Sequence, residues 1–222
     1  RFNITYNHAW TSFFWFHDVN AMYADYLKLK EYANMHTTVH TIELMTNILT
    51  NLENAARVGL FDGEMFGKEV QELKTIKGRE DLSRASRLFL ELFFSEHRLL
   101  QMVHCEQDPT PELKKLAELI ETSANYPDIS FDSQITIVEM IGRVIDDNEE
   151  YEKLIDKISE ISALRKSEVE GAIIHFNRAQ TLIDKQQYKP VVKHLGHCVQ
   201  AFMKEGYETE LVKAYGYMGI AF

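Results

Sequence analysis

The stretch from Ser167 to Phe202 limits the fold more than any other, because its apolar residues return at steps of three and four. Ala172, Ile173, Phe176, Ala179 and Ile183 make one stripe, and Val191, Leu195, Cys198, Val199 and Phe202 make another. This is the period of an α-helix with one buried face. Ser167, with Glu170 three residues on, reads as a capping box that opens the first helix. Gln186-Gln187-Tyr188-Lys189-Pro190 breaks the pattern between the two. The pair predicts a hairpin of helices near 168–186 and 189–205 packed antiparallel. Gly206, a residue type suited to a left-handed helix end, follows, and residues 208–222 are expected to stack on the hairpin as a third helix. Phe176, Ile183, Leu195, Phe202, Leu211, Tyr215 and Met218 cannot all be covered within one hairpin. The close crossings are expected at Ala179, Gly196 and Gly219.

The same period runs through the rest of the chain. Val19, Met22, Tyr26, Leu29 and Ala33 mark one seam, and Val39, Ile42, Met45, Leu49, Leu52 and Ala56 mark another. They form two helices or one kinked helix, with the weak point at 34–38. Gly59, Gly63 and Gly67 read as a connector, followed by a short helix through Val70, Leu73 and Ile76. Asp81 is expected to open a longer helix, on which Glu96 shares the apolar seam and so must be buried and paired with a base. Thr110-Pro111 starts another helix over 111–121, and further helices are expected at 133–145 and 149–164. The first sixteen residues hold Tyr6, Trp10, Phe13, Phe14, Trp15 and Phe16, too many aromatics for one helix face, and are expected as a helix inserted in the core. With only 10 Gly and 4 Pro in 222 residues, the fold class is all-α: antiparallel helical hairpins, with an N-terminal helical bundle over 1–121 leading into hairpins over 133–222. The boundary falls near 122–132, around Pro127, unless the chain is one continuous domain.

Several function classes are set aside by composition. The net charge is −10, concentrated in residues 106–160, and no basic stripe accompanies it, so these residues are not expected to contact nucleic acid. No apolar run reaches the roughly 18 residues of a membrane span. Cys105 and Cys198 are too few for a disulfide framework, which predicts a reducing, cytoplasmic setting. Neither Gly-x-Ser-x-Gly, a paired reactive cysteine nor a phosphate loop is present, so neither an enzyme nor a cofactor is expected.

The C-terminal quarter resembles the tetratricopeptide repeat family, whose helix pairs of about 34 residues stack to form a concave binding surface. Tyr188 stands where the family has an aromatic between its two helices, Ala179 at the small position of the first helix, and Leu182 at its aromatic position. Leu195 and Cys198 match the large and small residues of the second helix, and Met218, Gly219 and Phe222 the core of the next unit. The chain departs from the pattern in lacking the early Trp, in carrying Val191 where Ala is usual, and in stepping 40 residues from Ala179 to Gly219. The resemblance implies a TPR-like α-solenoid and a non-enzymatic module that binds a protein or peptide, the sensing or regulatory part of a longer protein. Phe176, Gln180, Gln187 and Tyr188 are its candidate contacts. Arg1 in place of Met and the apolar ending after Tyr215 fit a piece of a longer chain.

An alternative is a helical bundle that senses a metal or small ligand through His36, His40 and Glu43. These lie at i, i+4 and i+7 on one helix face, with Glu96, His97 and His104 able to face them. A di-iron bundle is excluded, because Glu-x-x-His occurs nowhere in the chain. His194, His197 and Cys198 form a second group of this kind.

Overall fold

The computed structural model describes residues 2–146 and 148–222. Among them it holds eleven α-helices and no strand, with 82% of the chain helical. The helices are α1 (Phe2–Phe16), α2 (Val19–Met35), α3 (Val39–Arg57), α4 (Gly63–Lys77), α5 (Arg84–His104), α6 (Thr110–Ser123), α7 (Phe131–Val144), α8 (Glu149–Arg165), α9 (Glu168–Asp184), α10 (Tyr188–Glu205) and α11 (Glu208–Ala221). No helix among the described residues is long and apolar enough to cross a membrane. The chain forms two compact units, one of residues up to Phe94 with Tyr126–Ile129, the other of Ser95–Asn125 with Ser130–Phe222.

Side-chain caps fix most helix starts. Asp18 accepts from the Ala21 amide, Thr38 and Thr41 make a reciprocal capping box, and Ser167 accepts from the Glu170 amide. Each such cap contributes about 1 kcal/mol. Residues 19–57 are therefore two helices, since Thr38 starts the second. Asp62 accepts from the Glu64 and Met65 amides, so α4 begins early and takes in Gly63 and Gly67, residues expected in a connector. Asp81 does not open α5. It is tied to Arg79, with Nη2 to Oδ2 at 2.6 Å, and Ser83 accepts from the Ser86 amide in its place.

In the first unit α1, α2, α3 and α4 pack in succession, with α1 also touching α3. Met22, Tyr26, Leu29, Ile42, Met45 and Leu49 fill its core. Buried Glu69 of α4 accepts from the Tyr23 hydroxyl at 2.8 Å and from Lys30 at 2.6 Å, which clamps α4 to α2. The expectation that α1 inserts in the core is corrected. Its aromatics point all round the helix while only one side can meet α2 and α3, so Ala9 and Ser12 are buried whereas Trp15 and Phe16 are 80% and 73% exposed.

In the second unit α6 packs on α8, α7 touches α8 and α9, and α8, α9, α10 and α11 pack in succession. Glu96, in the half of α5 that belongs to this unit, is buried as its seam position requires. The Cys198 thiol donates to the Ala172 carbonyl (3.2 Å), and Lys204 pairs with Glu168 (2.6 Å). Higher positions on α10 thus meet lower positions on α9, and the two helices run antiparallel. Gly206 ends α10 at φ +75°, a backbone region that favours glycine. α11 covers both helices, placing Tyr217 on Phe176 (ring centroids 5.7 Å) and burying Ala214.

Buried positions recur at a fixed interval. The α8 residues Tyr151, Leu154, Ile155, Ile158 and Ser162 are buried, and so are the α10 residues Val191, His194, Leu195, Cys198 and Phe202, each 40 residues after its counterpart. The inner face of α9 at Ile174 likewise returns in α11 at Ala214.

Two expected crossings are corrected. Ala179 is fully buried, but no atom lies within 4 Å of a Cβ built on Gly196 or Gly219, because both glycines sit on outer faces. The close approaches fall instead at Gly142, where a side chain would run into the Tyr151 hydroxyl, and at Gly171, where a Cβ would stand 2.7 Å from the Ser159 carbonyl oxygen.

Candidate functional site

α8, α9 and α10 leave between them a groove of about 660 Å³. The helical period explains its lining. Asp156, Ser159, Glu160 and Ala163 share one face of α8, Gly171, Ala172 and His175 one face of α9, and His197, Gln200, Ala201 and Lys204 one face of α10. The small residues keep the groove open, and its floor is polar.

Beneath that floor runs a chain of buried polar groups. Arg178 of α9, 3% exposed, donates to Glu152 Oε1 from Nε (3.0 Å) and Nη2 (2.6 Å), and from Nη1 to the Gly142 carbonyl (3.3 Å). Its guanidinium lies over the Tyr151 ring at 4.7 Å. The other carboxylate oxygen, Oε2, is 2.7 Å from Nε2 of the fully buried His194. His194 Nδ1 is in turn 3.1 Å from Nδ1 of His175, whose ring lines the groove and stacks on His197 at 4.5 Å. The chain therefore leads from α7, through α8 and α10, to the open groove.

Burial sets the electrostatics. It drives the His175 pKa down to about 4, helped by His194 and His197 and opposed by Asp156, so the ring is neutral at pH 7. Burial also pushes Glu152 upward, but His194 and Arg178 outweigh it and leave its pKa below the ordinary carboxylate value. Cys198, enclosed by apolar neighbours, rises to about 12 and stays a thiol.

The candidate contacts lie apart from this groove. Phe176 is in the core between Phe202 and Tyr217. Gln180 lines a second hollow of about 510 Å³ shared with α7 and α8, Gln187 donates to Asp146 at 3.3 Å, and Tyr188 is 39% exposed at the start of α10. His36 and His40 are exposed; His36 packs on the Tyr32 ring, and His40 Nδ1 is 3.9 Å from Glu43 Oε2. Among the described residues no group of three or more His, Cys, Asp or Glu side chains is placed to hold a metal ion. His194, His197 and Cys198 diverge as well: His194 meets Glu152, His197 meets His175, and the Cys198 thiol bonds the Ala172 and His194 carbonyls. Sequence reasoning missed His175, Arg178 and Glu152. Their one signal was two ionisable side chains, three residues apart, beside the apolar stripe of α9.

The chain matches no protein-family model, no curated protein and no solved structure.

Proposed function

We propose that the second unit is a helical-repeat interaction module which holds an extended segment of a partner protein in the α8–α9–α10 groove. The observation that carries this reading is the groove itself, about 660 Å³, walled by three successive helices, with the small residues Gly171 and Ala172 in its lining. The 40-residue recurrence of buried positions from α8 to α10 supports the repeat, as do the contacts of α7 with α9 and of α9 with α11. Stacked hairpins of this kind make extended concave binding surfaces. Binding rather than catalysis fits the groups present. The Ser159 hydroxyl is spent on the Gly171 carbonyl at 2.9 Å, and Cys198 is buried as a neutral thiol.

A random peptide library selected against the protein tests the reading. Selected peptides should lose binding to Gln200→Trp, which puts a bulky ring at the groove from an exposed position. Peptides that bind this variant as well as the parent, or no selection at all, would overturn the assignment of the groove.

A further inference from the structure

α10 lies on α9 through a defined set of positions. The Cys198 thiol bonds the Ala172 carbonyl, His194 meets His175, and Ala179 and Leu182 share the buried core with Val191 and Leu195. Lys204 closes the edge of the contact on Glu168 at 2.6 Å. The same α9 positions return on α11 at the 40-residue interval. Ala172 becomes Val212, His175 becomes Tyr215, Ala179 becomes Gly219, Leu182 becomes Phe222, and Glu168 becomes Glu208. The inner faces agree with this register, since buried Ile174 returns as buried Ala214.

On α9 this set is covered by α10, whereas on α11 it is bare. Val212 is 71% exposed, Tyr215 52% and Phe222 93%. Nothing stands within 4 Å of a Cβ built on Gly216 or Gly219. A helix backbone therefore has room to approach the middle of the face, as α10 approaches Ala179. No charged residue follows Lys213 on α11, and Glu208 is exposed with no ion-pair partner among the described residues. Large apolar side chains gathered in this way on one exposed face mark an interaction surface.

We propose that this face of α11 docks an amphipathic helix of a partner protein. The helix runs antiparallel to α11, carries apolar residues at i, i+4, i+7 and i+11, and sets a lysine or arginine two residues further on against Glu208. That is the chemistry of α10 itself, whose Val191, Leu195, Cys198 and Phe202 are followed by Lys204. Covering the face removes apolar surface from water, and anchors at helical spacing are the form that fits it. An extended segment would find no backbone partners along α11, whose amides and carbonyls are spent within the helix. The surface is distinct from the groove, which α8, α9 and α10 line, and it takes a different kind of partner.

The test uses the full chain and, as probe, a labelled peptide of the α10 sequence Tyr188–Glu205 carrying Cys198→Ala, titrated by fluorescence anisotropy. The peptide should bind. Val212→Asp or Phe222→Asp, both at exposed positions, should weaken it about tenfold or more with the circular dichroism of the protein unchanged, while Gln200→Trp in the groove should have no effect. Lys204→Glu in the peptide should weaken binding about threefold, and Glu208→Lys in the protein should restore it. Restoration by Glu168→Lys instead would mean that the peptide replaces α10 on α9, and would overturn the inference. No binding at about 1 mM peptide would overturn it as well, and so would binding lost with Gln200→Trp but kept with Val212→Asp. Sedimentation that shows a dimer of the parent dissolved by Val212→Asp would give the face to a second copy of the chain and sink the proposal too. None of these outcomes removes the groove reading, which is decided by library peptides sensitive to Gln200→Trp.

Discussion

Arg178 is the residue on which the buried chain turns. Its guanidinium is shut away from water and spans α7, α8 and α9 through Gly142, Glu152 and Tyr151. Arg178→Met should therefore cost about 3–5 kcal/mol in urea unfolding, since it strands a buried carboxylate. The double variant with Glu152→Gln should cost less than the two single changes added together. His175 gives a pH signature of definite sign. Its folded pKa of about 4 lies below the ordinary 6.5, so the unfolded chain takes up the proton first. Stability should fall as pH drops from about 6.5 to about 4, by on the order of 2–3 kcal/mol, and level off for this group below that. Glu152, also held below its ordinary value, adds a further loss below about 4.5. His175→Gln should flatten the upper window and leave the lower one; an unchanged profile between pH 6.5 and 4 would show that His175 is not buried neutral.

Between helices, the glycines separate close packing from mere smallness. Gly142 and Gly171 each have a neighbour where a methyl would go, and Gly219 has none. Gly171→Ala should destabilise by about 1–3 kcal/mol through overpacking, whereas Gly219→Ala should stabilise by about 0.5–1 kcal/mol by improving helix propensity alone. Thermal melts of the two variants should move in opposite directions. The contrast also marks how far the sequence could be read. Periodicity located α2, α3, α8, α9 and α10 because each hides one continuous stripe, and Ser167 and Gly206 announced their boundaries. A small residue says that an approach is allowed, not that one occurs, so Gly219 was misplaced on the pattern of Met218 and Phe222. α1 defeats the method for the opposite reason: with aromatics on every side, no stripe says which face turns inward. The candidate site was barely legible, since the meeting of His175 with His194 depends on a register set by the three-residue turn 185–187. Nothing in either helix alone specifies that register.

For the molecule as a whole, the two cysteines report on integrity. Cys105 is exposed at the end of α5 and Cys198 is sealed in the second unit. A thiol reagent should modify one cysteine per native chain and a second only on unfolding, at a rate that follows the opening of the α9–α10 pair. Rapid modification of both in native buffer would contradict the packing of that pair. The interval of 40 residues that relates α8 to α10 has a further consequence, for how such a chain tolerates being lengthened. If each helix meets only its near neighbours, the second unit behaves as a ladder whose rungs can be counted. An in-frame duplication of residues 168–207, inserted after Tyr207, would bring every helix back to a familiar neighbour. The longer protein should gain helical signal in proportion and melt no lower than its parent, whereas an insertion of half that length would put buried side chains into solvent.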